Sequence, residues 1–405
     1  MNSNRLLSIF AALGVILSST FIAYITLSSD KTVNLCEVNR DYSSCSLQCD
    51  LDNPQGCREL GLILSKGKSV AIDIKGAEDA FKKGCELEDA DSCGYLGADI
   101  IRKNIFKIAP EKSYEFSLKG CQLGSGLACT NIATLYALGQ YVQEDKKKAQ
   151  TLYKKASDLE YKACMDSQSE SCFRYANMIY SSLLDSLDYS SANASLEKAC
   201  NLNSADGCRA LAAQYRAGKT LKQDFSVAKA LNDKACSLGD HESCIELAKM
   251  YSTGRTVSYD MKKSFSYYEK ACILGDADIC IRVADRIHSN LKDKDAFKKA
   301  EKYYIKSCDY NNSRGCRLLG SLYYWYSSKH KDKDLAAKMT EKGHKLLEKG
   351  CNLEDAQSCK TLGIIHEKGI GVNINAMIAQ EYYEKACALG EYSTCQKPEV
   401  VTKNK

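Results

Sequence analysis

The chain has 405 residues, 44% of them hydrophobic and 26% charged, with three prolines, 22 cysteines and a net charge of +5. So small a positive balance, with acidic and basic residues interleaved, excludes the footprint of a nucleic-acid binder. A length that would otherwise suggest two or three domains is compatible with one extended array if the core grows along a single dimension, and few prolines suit long helices.

Arg5 precedes an apolar run from Leu6 to Leu27, long enough to cross a bilayer, for which about 20 residues suffice. Residues 1–30 therefore read as a signal peptide or an uncleaved signal anchor, the latter tying the chain to the inner membrane through residues 6–27. Val33–Leu35, ahead of Cys36, is a poor lipoprotein box. Both alternatives place the cysteines outside the reducing cytosol, in the periplasm or secreted, where an even number of cysteines in paired spacing reads as a disulfide framework.

Residues 31–56, with Cys36, Cys45 and Cys49, read as an incomplete first unit. From there one pattern recurs to Cys395: two cysteines separated by seven residues, at Cys49/Cys57, Cys85/Cys93, Cys121/Cys129, Cys164/Cys172, Cys200/Cys208, Cys236/Cys244, Cys272/Cys280, Cys308/Cys316, Cys351/Cys359 and Cys387/Cys395. Successive pairs lie 36 residues apart, except for two gaps of 43. A fixed period of this size marks a solenoid whose units bury their apolar faces only against neighbours. Residues 57–395 thus hold nine repeats, and 396–405 form a tail.

Each repeat reads as two helices. The first is expected to open at the second cysteine, with an apolar residue at +3 and always Gly or Ala at +4, as in Leu60-Gly61, Leu247-Ala248 and Leu362-Gly363. Residues at +7, such as Leu64, Tyr251 and Tyr323, share that face by helical spacing. Glycine at +10 (Gly67, Gly139, Gly218, Gly254, Gly369) ends the helix in five repeats, but Lys103, Ser182, Asn290 and Tyr326 stand there in the other four. The second helix carries Tyr-Tyr or similar, then Glu-Lys, then a small residue and cysteine. The stretch between the cysteines, such as LGDADI, is turn-like. The 43-residue gaps contain a duplicated heptad, EKGHKL before EKGCNL at Glu341–Leu353 and YKKA before EYKA at Tyr153–Ala163; this lengthens a helix by about 10 Å without turning its buried face.

The pattern KACxLGDAxSCxxLAxxYxxG followed by YYEKAC resembles the Sel1-like repeat family, and the cysteine pair in each unit resembles its Helicobacter-type cysteine-rich branch. The resemblance implies an all-α, alpha-alpha superhelix of helix-turn-helix repeats with one disulfide per repeat, each bond closing within its own pair and Cys36–Cys45 forming an eleventh. For function it implies protein binding or, as an alternative, a weak beta-lactamase or penicillin-binding activity.

The residues themselves give little chemistry. Seven-residue intervals and five scattered histidines do not match zinc knuckles, so neither a metal nor any other cofactor is expected, and His344 reads as a helix-surface residue of the duplicated heptad. S-x-x-K occurs at Ser28, Ser65, Ser195, Ser226, Ser289 and Ser328, but no K-T-G or K-S-G follows anywhere, and a serine penicillin-interactive enzyme needs that third element. Binding in the groove lined by the first helices is the remaining reading, with a protein or peptidoglycan-related partner and no nucleic acid. On helical position the groove candidates are Tyr324, Trp325, Arg216 and His288, with Gln214, Lys249, Asp285 and Glu367 beside them. Trp325 is the sole tryptophan, a residue favoured as an interface anchor.

Overall fold

A computed structural model describes residue 36 and residues 41–67, 70–101, 105–181, 183–184, 188–289 and 295–395. The apolar run 6–27, the Val33–Leu35 stretch, Ser28, the tail, and Lys103, Ser182 and Asn290 lie outside these residues. The described residues form nineteen α-helices and no strand, so the fold is an all-helical repeat solenoid.

The chain divides into two compact units, residues 1–210 and 211–405. The first holds α1 (Tyr42–Asp50), α2 (Pro54–Lys66), α3 (Ile74–Glu86), α4 (Ala90–Gly97), α5 (Pro110–Gln122), α6 (Gly126–Leu138), α7 (Lys146–Met165), α8 (Ser169–Tyr180) and α9 (Tyr189–Asn201). The unit boundary falls within α10 (Ala205–Ala217). The second holds α11 (Phe225–Ser237), α12 (His241–Thr253), α13 (Met261–Ile273), α14 (Ala277–His288), α15 (Ala296–Asp309), α16 (Ser313–Ser327), α17 (Lys333–Asn352), α18 (Ala356–Lys368) and α19 (Ala376–Ala388). Within each unit, even-numbered first helices pack on the odd-numbered second helices that follow them, and these on the next first helix.

The cysteine-based helix starts need correction. Cys57, Cys93, Cys129, Cys172, Cys208, Cys244, Cys280, Cys316 and Cys359 do not open the first helices but lie inside them, each three residues after the helix begins. Cys395, the last second cysteine, follows only a short 3-10 turn, Tyr392–Thr394. An Asp, Asn or Ser just ahead of most first helices caps them: Asp89, Ser125, Asp276 and Asp355 accept from the backbone N–H three residues on. The Asp of LGDADI is therefore a helix cap, and the true turn is shorter than the cysteine interval suggests. Its sharpest residue, three after the first cysteine, has positive φ in all ten units, whether it is Gly275 (φ 111°) or Glu354 (φ 64°).

The small +4 residue allows close helix contact. A Cβ on Gly363 would lie 2.5 Å from the Tyr383 ring, and one on Gly61 would lie 2.6 Å from Phe81. Gly67, Gly139, Gly254 and Gly369 cap their helices with left-handed backbone. The two duplicated heptads appear as α7 and α17, of 20 residues each, where α3, α13 and α19 have 13.

Eleven disulfides are present, and every one follows the expected pairing. Cys36 is joined to Cys45, Cys49 to Cys57, Cys85 to Cys93, Cys121 to Cys129, Cys164 to Cys172 and Cys200 to Cys208. Cys236 is joined to Cys244, Cys272 to Cys280, Cys308 to Cys316, Cys351 to Cys359 and Cys387 to Cys395. The second cysteines of the nine first helices are fully buried. Placed one turn inside a helix rather than at its mouth, each holds its bond beneath the junction, where it ties the end of a second helix to the first turn of the next first helix.

The YYEKAC signature reinforces the same junction. The lysine two before the first cysteine reaches back to the end of the preceding second helix: Lys119 Nζ donates to the Cys85 carbonyl at 2.7 Å and Lys349 Nζ to that of Cys308 at 2.8 Å. Such a cation compensates the negative end of the helix dipole. In the second unit the tyrosine five before the cysteine donates to an acid one repeat earlier, Tyr267 to Asp233 at 2.8 Å and Tyr303 to Glu269. A basic residue just after the second cysteine pairs with the acid ahead of the next first helix or its terminal 3-10 counterpart: Arg58 with the capping Asp89 at 2.7 Å, Arg317 with the capping Asp355 at 3.1 Å and Lys360 with Glu391 at 3.1 Å.

Candidate functional site

The residues of the first helices that are free of these structural duties differ between the two units. In the second unit Trp325, late in α16, is 47% exposed. The His288 ring, at the end of α14, meets it edge-on with centroids 6.4 Å apart, Tyr326 packs against it at 4.7 Å, and Lys329 Nζ sits 3.6 Å from the ring centroid. A large ring held by neighbours and open to solvent on one side is the form an interface anchor takes, because little side-chain entropy remains to be lost on binding.

The other candidates are dispersed. Arg216 lies on α10 and pairs with Glu246 at 2.5 Å; Glu246 also accepts from Lys249 at 2.8 Å. Partial burial disfavours the Glu246 charge, but the two cations outweigh it and lower its pKa. Tyr324, one residue from Trp325, points away from it toward α17, where its hydroxyl lies 3.2 Å from His344 Nδ1. His344 is thus half-buried rather than a surface residue of the inserted heptad. Asp285 and Glu367 accept from the hydroxyls of Tyr304 and Tyr383 on the following second helices, and Gln214 accepts from Thr220 at 3.1 Å. The two acids tie helices together.

In the first unit charges early in two first helices, joined by one on a second helix, form an ion network that sequence reasoning missed. Arg174 on α8 donates from Nε to Glu160 at 2.7 Å and from Nη2 to Asp91 at 2.9 Å, and its side chain is 14% exposed. Burial alone would weaken its charge, yet Asp91 and Glu160 hold its pKa well above the usual value. Asp91, although buried, is held below the carboxylate range by Arg174, with the Ser125 hydroxyl and Arg58 assisting. Burial pushes Glu160 upward. Lys66 at the end of α2 approaches Asp206 on α10 at 3.9 Å. Arg174 stands two residues after a cysteine and Asp91 two before one, but they are 83 residues apart, and spacing alone does not show that they converge.

The S-x-x-K serines have local roles. Ser65, Ser289 and Ser328 donate to carbonyls of their own helices, Ser226 donates to the capping Asp224, and Ser195 is buried. Nucleophilic catalysis needs a base within hydrogen-bond reach of the serine; of these contacts only Ser226–Asp224 brings a carboxylate to a serine, and that carboxylate also accepts the Ser226 and Val227 amides as the helix cap. Among the described residues no group of three or more His, Cys, Asp or Glu could hold a metal ion.

The Sel1 repeat model matches residues 126–161, 205–240, 241–276, 280–311 and 356–391. Cytochrome c oxidase assembly factor 7A of Xenopus laevis is 32% identical over 111 residues, covering 25% of this chain and 46% of that protein; the chain spans about half the length of the curated relatives it matches. Helicobacter pylori cysteine rich protein B is 34% identical across 31% of this chain and 91% of its own, with a TM-score of 0.27. The protective antigen c5321 of uropathogenic Escherichia coli, described as displaying an SLR fold, is 18% identical, covering 85% of this chain and 79% of its own, with a TM-score of 0.37. Four of the five model matches begin at the first residue of a first helix, α6, α10, α12 or α18. Carrying that repeat, with a disulfide at each junction, the chain belongs to the Sel1 repeat family.

Proposed function

We propose that the protein is an exported, disulfide-stapled scaffold that binds a macromolecular partner, a protein or a cell-wall component, through the first-helix surface centred on Trp325. The observation that carries this reading is the half-exposed Trp325 ring, held in place by His288, Tyr326 and Lys329 while one side stays open to solvent. Export is supported by the pairing of every cysteine, since such bonds persist in oxidising compartments, and by the apolar entry segment of the sequence.

The experiment is crosslinking from the native envelope, followed by titration of each identified partner against the full chain. Trp325→Ala is expected to weaken the true partner at least tenfold, and His288→Ala less, while circular dichroism stays unchanged. Undiminished binding of every identified partner to the Trp325 variant would place the surface elsewhere.

A further inference from the structure

We infer that the heptad inserted in α17 builds a receptor for an alkyl cation, an ammonium or guanidinium group on an apolar stem, with Glu348 as its counter-charge. The face of α17 from Ala336 to Glu348 forms one wall of a cavity of about 600 Å³, closed by Tyr324 near the end of α16 and by the Ile370–Val372 loop after α18. This volume lies within the range of small-ligand sites, about 300 to 1,000 Å³. A helix of the ordinary 13 residues ending at Asn352 would begin at Thr340, so Ala336 and Ala337 belong to the wall only because of the insertion. The loop approaches closely at Gly371, where φ is +68° and a Cβ would lie 2.3 Å from Thr340 Cγ2.

The charges in the cavity select the ligand. Lys345 Nζ pairs with Glu341 at 2.7 Å and attracts Glu348 only from farther away. The neighbours of Glu348, His344 Nε2 at 3.5 Å and the Tyr382 hydroxyl at 3.4 Å, are more distant than the usual hydrogen-bond length of about 2.8 to 3.0 Å. Its oxygens therefore retain room for a closer donor. His344 Nδ1 lies 3.2 Å from the Tyr324 hydroxyl, and its Nε2 faces Glu348. Burial, and then the charge of Glu348, push the Tyr324 hydroxyl up to about 12, so the phenol does not compete as an anion. A cation entering here gains a charge-assisted hydrogen bond beside an aromatic wall. An anion would meet two carboxylates, Glu341 and Glu348, against the single ammonium of Lys345. Ala336, Ala337, Ile370 and Val372 supply the apolar surface for the stem.

This cavity is separate from the Trp325 surface, and each can fail without the other. The purified full chain would be titrated with n-hexylamine and with n-hexanol, following the imidazole NMR signals of His344 and His366. Blocked peptides containing lysine or norleucine would form a second arm. The amine is expected to give saturable shifts at a concentration at least tenfold below that of the alcohol. Glu348→Gln should abolish this preference without altering the fold or the response to alcohol, and Ala337→Leu should weaken both ligands by filling the stem site. A lysine peptide that binds with the same Glu348 dependence identifies a protein side chain as a source of the cation; binding of the amine alone identifies small amines. Equal binding of amine and alcohol, or a preference that survives in Glu348→Gln, overturns the inference.

Discussion

The two units use one repeat pattern for different ends. In residues 1–210 charges early in the first helices, together with Glu160 of the second helix α7, neutralise one another around the largely buried Arg174. In residues 211–405 the last turns of the first helices carry rings and a partly exposed cation, among them Trp325, His288 and Arg216, the last paired with Glu246. The disulfides, small residues and helix caps are common to both. The consensus therefore sets the helices, and the residues between consensus positions determine whether a unit satisfies its own first-helix face or leaves it available.

The largest test of this contrast is Arg174→Leu. Removing the shared cation from a largely buried ion network leaves Glu160 without its counter-charge and Asp91 with only Ser125 and the more distant Arg58, at an expected cost of about 3 to 5 kcal/mol. Arg216→Ala, at a pair whose arginine side chain is 47% exposed, should cost under about 1 kcal/mol. Denaturant unfolding of the two variants measures both effects, and equal losses would break the comparison.

Next in size are the disulfides, where the units should agree. Replacing Cys85 and Cys93 by alanine, or Cys272 and Cys280, removes a short loop closure worth about 2 to 3 kcal/mol in either unit. A cost confined to one unit would mean that the staple is not a shared property of the repeat. Non-reducing peptide mapping of the parent chain checks the pairing first.

The smallest effect separates the units by pH. His366 is 9% exposed, stacks on Tyr382, and faces His344, with Glu348 nearby. Burial, reinforced by His344, lowers its pKa from 6.5 despite the opposing Glu348 charge. The unfolded chain then binds its proton more readily, so the stability from neutral His366 is complete above about pH 6.5. It is lost as pH falls through the lower folded value. Asp91 in the first unit, lowered from 3.8, keeps its full contribution above about pH 3.8 and loses it only as pH falls through the lower folded value. Hydrogen exchange at pH 7 and pH 5 should show the second unit loosening first, and His366→Phe, which keeps an aromatic ring but cannot titrate, should remove that difference. Earlier loosening of the first unit would contradict it.

The sequence by itself determined the period, the two-helix unit, the small residue at the helix contact, the cysteine pairs and the lengthened helices. These are local: they follow from chemistry repeated at fixed spacing along the chain, as when Gly363 yields to Tyr383 within one repeat. It placed the first-helix start three residues late, at Cys280 rather than Ala277, because the capping Asp276 resembles a turn residue until its side chain is seen accepting from the N3 amide. Only the tertiary structure decided that Tyr324 and Trp325, adjacent in the chain, serve different surfaces, that Asp285 and Glu367 are ties between helices, and that Arg174 meets Asp91 across 83 residues. The physical reason is that a charge or a ring on a first helix acquires its role from whichever repeat the solenoid carries to it, and no periodicity in the chain records that encounter.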